Sequence, residues 1–310
     1  MEHRAIGSLS VSVVGLGCNN FGGRLDAEGS ARVVHAALDA GIDFFDTADV
    51  YGGGLSEEFL GKALRGRRDQ AIVATKFGAA GSAPPGMKRG SADWIRSAVE
   101  RSLKRLGIDR IDLYQMHFPD PDVPLDETLG ALDELVRAGK VRELGCSNFG
   151  STLIQQAARI SAAKRLTPFR TVQNRYSVLT RDPEAKVLPA CREHGLGFIP
   201  YFPLESGLLT GKYREGEALP EGARLALFPE EQRARFLADG ALARVERLRS
   251  YAEKRGHTLL ELAISWLATN PQVTSVISGA TRAEQVGANA TAASWKMSAE
   301  ERAAIDALLR

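Results

Sequence analysis

Short apolar runs alternate with amphipathic stretches along the whole chain, the pattern that builds βα units around a parallel sheet. An opening hairpin is expected over residues 3–13, and VSVVGLG (11–17) reads as the first buried strand. The stretch 28–40 is helical, with Val33, Val34, Ala37 and Leu38 on one face and Gly41 placed to end it. IDFF (42–45) follows, then a helix from Ser56 and the strand AIVAT (71–75). Residues 91–106 give the clearest helix: Trp94, Ile95, Ala98, Val99, Leu103 and Leu106 form one stripe, and Gly107 is the stop.

Strand four is RIDLYQM (110–116), and a helix over 125–138 closes at Gly139. KVRELGC (140–146), FRTVQ (169–173), GFIPY (197–201) and VTSVIS (273–278) supply four more strands. Helices are expected near 150–162, 182–194, 258–269 and 282–292. Eight apolar strands, each followed by a helix, predict an α/β chain folded as a (β/α)8 barrel. The segment 207–256 is longer than a connection needs, so a loop (211–230) and an extra helix (239–255) are expected as an insertion after strand seven. A helix over 298–309 is expected to cover the barrel, and no composition break divides residues 1–310 into two domains.

Composition narrows the function classes. With 44% hydrophobic and 25% charged residues the chain suits a folded globular protein. Forty Lys plus Arg against 38 Asp plus Glu leave a net charge of +2, so neither a nucleic-acid footprint nor an anionic membrane surface is indicated. No apolar run approaches the roughly 20 residues a membrane helix needs, and the polar start MEHRAIG is unlike a signal peptide. Cys18, Cys146 and Cys191 are an odd number without a C-x-x-C pair. They read as reduced thiols of a cytoplasmic protein, with no metal site expected. A monomer or small homo-oligomer is the expectation.

Active sites of such barrels form at the C-terminal ends of the strands. Strand two ends at Asp46, strand three at Lys76 and strand four at His117, and Tyr51 lies five residues beyond Asp46. Taken singly, each has a plain reading: an Asp that caps a turn, a solvated Lys, a structural His. Together they suit carbonyl reduction. Hydride addition builds negative charge on the carbonyl oxygen, which an acid must neutralise. A nearby ammonium pulls a tyrosine pKa down, an Asp paired to Lys76 keeps that ammonium charged, and His117 can hydrogen-bond the substrate oxygen or relay a proton. A strand-end lysine also suits a Schiff-base aldolase, which leaves Lys76 a second role. Hydride must come from a cofactor. No G-x-G-x-x-G joins a strand to a helix, so a dinucleotide would have to lie across the barrel mouth.

GIDFFDTADVYGGGLSEEFLG (41–61), VATKFG (73–78), IDLYQMHFPDP (111–121), GKVRELGCSNF (139–149), VQNRYS (172–177), IPYFPLESGLLTGKY (199–213) and SGATRAEQVGANA (278–290) occur in that order. By these stretches the chain resembles the aldo-keto reductase superfamily, the NADPH-dependent carbonyl reductases, over essentially its whole length. The resemblance implies a catalytic tetrad of Asp46, Tyr51, Lys76 and His117, small carbonyl, alcohol or sugar substrates, and NADP(H), or else NAD(H), as cofactor. It implies that Ser147, Asn148 and Gln173 bind the nicotinamide carboxamide and that Tyr201 stacks on the ring. The loop Phe202, Pro203, Leu204, Gly207, Leu209 and Lys212 would clasp the pyrophosphate, and Gly279, Thr281, Arg282, Gln285 and Asn289 would hold the adenosine end. Gly17, Cys18 and Asp46 complete the implied cofactor set, and Asn20, Phe21 and Phe118 join Tyr51 and His117 around the substrate.

Plainer roles stand beside these. Ser147 and Asn148 could cap the fifth helix, Thr281 could cap the last barrel helix, and Gln173 and Tyr201 could be polar ends of core strands. Lys212 and Arg282 carry the preference for NADP, because a 2′-phosphate needs a cation or a helix N-terminus. Ser278 departs from the proline that many members carry before the glycine. Some members act chiefly as channel partners, so a cofactor-sensing regulatory subunit is the alternative function.

Overall fold

The hairpin forms where expected, as β1 (His3–Ile6) and β2 (Leu9–Ser12), antiparallel with Ile6 opposite Leu9. The run expected as one strand over 11–17 is two. Val11 and Ser12 pair with the hairpin, whereas β3 (Val14–Gly17) pairs in parallel inside the barrel, so the chain changes partner at Val13. The remaining strands are β4 (Phe44–Asp46), β5 (Ile72–Phe77), β6 (Ile111–Met116), β7 (Val141–Ser147), β8 (Phe169–Arg175), β9 (Gly197–Tyr201) and β10 (Val276–Gly279). This computed structural model describes residues 1–214, 216–238 and 240–309. Position 215 of the expected loop, position 239 of the expected extra helix and position 310 lie outside the described residues.

Among the described residues, β3 to β10 form one eight-stranded sheet in the order β10-β3-β4-β5-β6-β7-β8-β9, with every neighbouring pair parallel. The two ends meet through a bridge between Phe198 and Val273, where Thr274 donates to the Phe198 carbonyl at 2.8 Å. The result is a nearly closed (β/α)8 barrel. The expected last strand over 273–278 thus divides its work: Val273 and Thr274 close the barrel, and β10 pairs with β3.

Helices wrap the sheet: α1 (Ala27–Asp39), α2 (Leu55–Ala63), α3 (Ala92–Leu106), α4 (Leu125–Arg137), α5 (Ser151–Lys164), α6 (Pro183–Glu193), α7 (Glu230–Leu237), α8 (Ala241–Glu253), α9 (Leu259–Ala268), α10 (Ala283–Thr291) and α11 (Ala299–Leu308). Local chemistry sets their ends. Asp26 and Ser91 accept from the backbones of Gly29 and Trp94, and Thr258 with Glu261 and Ser298 with Glu301 form capping boxes. Gly107 ends α3 in the left-handed conformation, as expected. The insertion after β9 carries α7 and α8, of which α7 falls outside the sequence expectation.

The barrel interior is layered because strand side chains alternate with period two. Its lower layer is apolar: Phe44, Ala74, Leu113, Ile199 and Ile277 pack on Ile6, Leu9 and Val11 of the hairpin, which plugs the floor. Two residues further along the strands stand Asp46, Lys76, Gln115, Tyr201 and Gly279. Polar side chains are thereby stacked over a dry base, at the C-terminal ends of the strands. The larger apolar core lies outside, between the sheet and the helices.

Candidate active site

The upper layer is built around one buried ion pair. Lys76 is fully buried, and its Nζ donates to Asp46 Oδ2 at 2.5 Å and to the Thr47 carbonyl at 2.9 Å. It also lies 3.4 Å from the Tyr51 hydroxyl. Asp46 Oδ1 accepts from Gln173 Nε2 at 2.9 Å and from Gln115 Nε2 at 3.2 Å, so the carboxylate is held on both oxygens. Burial opposes the Lys76 charge, but Asp46 and then Tyr51 outweigh it and hold the ammonium above its ordinary range.

Gln115 was not singled out from the sequence, although it lies two residues before His117 on the inward face of β6, a position that strand periodicity identifies. Gly145 makes room for it: a Cβ there would stand 3.0 Å from Gln115 Cγ and 2.3 Å from Thr171 Oγ1.

Tyr51 reaches the ammonium through a tight turn. Gly52, Gly53 and Gly54 all have positive φ, and a Cβ on Gly52 would stand 2.6 Å from the Phe21 carbonyl oxygen. The expected lowering of the Tyr51 pKa is only one part of its balance. Burial raises it most, Lys76 pulls it down, and the net direction is upward, so the phenol keeps its proton. His117 meets Tyr51 edge-to-face at 5.8 Å and stacks on Phe118 at 5.0 Å. Burial, then Lys76, pushes its pKa down to about 3, so the ring is neutral near pH 7 and suits hydrogen bonding better than proton relay. The Schiff-base role for Lys76 fails on geometry. Its amine is charged, committed to three oxygens and sealed beneath the cavity floor.

Above this floor opens a cavity of about 880 Å³, to which Asp46, Tyr51 and His117 contribute. The sequence-expected residues Gly17, Asn20, Phe118, Ser147, Asn148, Gln173, Tyr201, Phe202, Pro203, Leu204, Gly207, Lys212, Gly279, Thr281, Arg282, Gln285 and Asn289 line it. Besides Lys76 beneath the floor, three expected residues do not. Cys18, Phe21 and Leu209 are fully buried in the apolar core, because their positions on turning backbone point them away from the mouth. Phe21 therefore forms no substrate wall, and Cys18 and Leu209 offer a ligand no side chain.

The capping roles are likewise not what the structure builds. Gly150 precedes α5 as its cap, whereas Asn148 donates to the His117 carbonyl at 2.9 Å and accepts from the Tyr201 hydroxyl at 2.8 Å. Ser147 donates to the Gln173 carbonyl at 2.7 Å. Arg282, not Thr281, is the cap of α10, and Gln285 folds back to accept from the Thr281 backbone at 2.8 Å.

One end of the cavity is cationic. Lys212, Arg282, Arg24 and Arg224 line it, and among the described residues none of them pairs with a carboxylate. Burial first, then Arg24, Arg282 and Arg224, hold the Lys212 ammonium below its ordinary pKa. Such mutually repelling charges in a concave site are stabilised by an anion. Arg24 and Arg224 had no sequence signal, because loop conformation alone brings them to this wall.

The family comparison agrees with the fold. The description "Aldo/keto reductase family" matches residues 13–310. The chain is 36% identical over 299 residues to the Glycine max protein named "Probable aldo-keto reductase 1", covering 94% of this chain and 84% of that protein. It is 36% identical over 319 residues to "Aldo-keto reductase YhdN" of Bacillus subtilis (strain 168), covering 100% and 94%. A similar match, 36% over 301 residues and covering 93% and 90%, is the Arabidopsis thaliana "Probable voltage-gated potassium channel subunit beta". The chain belongs to the aldo/keto reductase family, barrel oxidoreductases that act on carbonyl compounds and generally use NAD(P)H. Among the described residues no helix is long and apolar enough to cross a membrane.

Proposed function

We propose that this chain is an NADPH-dependent reductase of aldehydes and ketones, or the reverse on alcohols and sugars, with Tyr51 as proton donor. The supporting observation is the Tyr51 phenol on the cavity floor, 3.4 Å from an ammonium that Asp46 holds at 2.5 Å. The hydride would come from NADPH when bound, since no side chain can provide it. As negative charge grows on the carbonyl oxygen, Tyr51 gives up its proton and the phenolate left behind is stabilised by Lys76. Asp46 keeps Lys76 charged and in place. Neutral His117 orients the carbonyl oxygen by a hydrogen bond, and Asn20 and Phe118 flank the substrate.

The residues present fit the dinucleotide. Ser147, Asn148 and Gln173 would hold the carboxamide, and Tyr201 would offer its ring to the nicotinamide. The 202–212 loop and Lys212 would take the pyrophosphate, and Gly279, Thr281, Gln285 and Asn289 would receive the adenosine end. The cationic end formed by Lys212, Arg282, Arg24 and Arg224, none of which pairs with a carboxylate among the described residues, favours NADPH over NADH, because the 2′-phosphate adds negative charge to be matched.

The test is NADPH oxidation with 4-nitrobenzaldehyde. Tyr51→Phe should lower turnover by about 10²–10⁴-fold, the ordinary contribution of a positioned acid, while NADPH binding stays unchanged. Full turnover in Tyr51→Phe would show that another group is the acid. The similarity to proteins named as potassium channel β subunits favours one second reading, a cofactor-sensing regulatory subunit. Tight NADPH binding with negligible turnover across a broad carbonyl panel would decide for it.

A further inference from the structure

The wall of the cavity after β9 is held in an unfavourable backbone conformation. Among the described residues five that are not glycine have positive φ: Asn148, Arg165, Phe202, Glu205 and Ser206. Arg165 merely ends α5, but three of the others fall within five residues of one loop. Phe202 has φ 54°, Glu205 φ 45° and Ser206 φ 56°, and Gly207 and Gly211 continue the pattern. A left-handed residue with a Cβ is sterically disfavoured, so something must hold this loop against relaxation.

Glu205 is the one member whose side chain turns away from the cavity. It is 2% exposed, and its Oε1 accepts from Ser177 Oγ at 2.6 Å while Oε2 pairs with Arg175. Arg175 is the last residue of β8, and Ser177 lies two residues beyond it. Ser177 is itself fixed, since its Oγ accepts from the Thr180 backbone at 2.9 Å and the Leu179 backbone at 3.1 Å. Arg175 rests over the Phe236 ring of α7 at 5.2 Å. The carboxylate therefore ties the loop to a rigid strand end and, through Arg175, to the insertion.

On the opposite side of the same backbone, Ser206, Gly207, Thr210 and Lys212 face the cavity. The Ser206 hydroxyl is buried there and has no hydrogen-bond partner among the described residues. The Lys212 ammonium lies so close to Gly207 that a Cβ on that glycine would stand 2.9 Å from Nζ. The orientation of these cavity-lining groups follows from the left-handed turns at 205 and 206.

We propose that Glu205 is a positioning residue for the dinucleotide: its buried tether to Arg175 and Ser177 locks the 202–211 loop in the left-handed form that presents Ser206, Gly207 and Lys212 to the phosphates. The inference rests on the reading of the cavity as a dinucleotide site. It differs from a purely structural role in one respect, because a glycine at 205 reaches the same conformation without any tether.

Calorimetric titration with NADPH of the native protein, Glu205→Ala, Glu205→Gly and Arg175→Met tests it, with thermal melting to follow folding. Glu205→Ala should weaken NADPH binding about tenfold, the equivalent of one left-handed residue no longer held. Glu205→Gly should recover most of that loss. Arg175→Met, which breaks the tether from its more exposed side, should weaken binding in the same direction even if the alanine variant fails to fold. In steady state, Glu205→Ala should raise the KM for NADPH by more than it lowers kcat. Native affinity in Glu205→Ala, an equal loss in the glycine and alanine variants, or a fall in kcat larger than the rise in the KM for NADPH would each overturn the tether. A native protein that binds no NADPH would instead overturn the dinucleotide site, and the tether's role with it.

Discussion

Lys76→Met separates what the buried pair does for folding from what it does for chemistry. Lys76 is fully buried and the Asp46 side chain is 5% exposed, with 2.5 Å between the charges. At that distance and an effective dielectric of about 20, their attraction is about 7 kcal/mol, most of which offsets the loss of hydration. Deleting one partner of such a pair leaves a buried charge alone and typically costs about 3–5 kcal/mol. Here Gln115 and Gln173 still donate to Asp46 Oδ1. Hydrogen bonds to a charged group are each worth about 1.5–3 kcal/mol, which places the expected cost near the lower end, at about 3 kcal/mol. The lone carboxylate of the variant takes up a proton more readily, so the deficit should shrink as pH falls.

Replacing both partners, Asp46→Asn with Lys76→Met, removes the uncompensated charge and keeps an acceptor for the two glutamines. Its urea midpoint should return to near the native value, while turnover stays lost because no cation faces the Tyr51 phenolate. Urea melts of the native protein, the single variant and the double variant, with turnover on the same samples, check both halves. If Lys76→Met melts with the native midpoint, or if the double variant melts as low as the single one, the ion-pair reasoning is refuted.

Two pH measurements probe the surroundings. Asp49, two residues before Tyr51, has a buried Oδ1 without a partner among the described residues, and burial, then Glu57, raises its pKa to about 7. The folded chain thus keeps a proton that the unfolded chain releases near pH 4. This contribution to stability is fully present below about pH 4 and is lost as pH rises to about 7; Asp49→Asn should flatten that slope, and an unchanged slope would exclude Asp49 as its source. For His117, with its pKa pushed down to about 3, the ring signals in NMR should stay fixed between pH 5 and 8, where an ordinary histidine titrates; an inflection near 6.5 that disappears in His117→Gln would refute the neutral ring.

Much of the fold is legible in the chain because its signals are local. The 91–106 stripe and its flanking Ser91 and Gly107 define α3 without help from the rest of the molecule. Strand ends are nearly as readable, and they carried Asp46, Lys76 and His117 to one face of the barrel. Where partners matter, local pattern fails. Residues 11–17 read as one strand, yet the hairpin claims Val11 and Ser12 while β10 claims Val14. The helix α7 (Glu230–Leu237) is too weakly patterned to be seen before it packs.

By itself, the sequence determined a (β/α)8 barrel with an acid, a lysine, a tyrosine and a histidine at its C-terminal mouth, since period and spacing are properties of the chain alone. Only the tertiary structure decided which side chains face the cavity and in what charge state. It sent Phe21, Cys18 and Leu209 into the core and brought Arg24 and Arg224 beside Lys212. It also set burial against the pull of Lys76, so that Tyr51 stays a protonated phenol. Orientation in loops and the balance of desolvation against charge depend on neighbours far apart in sequence.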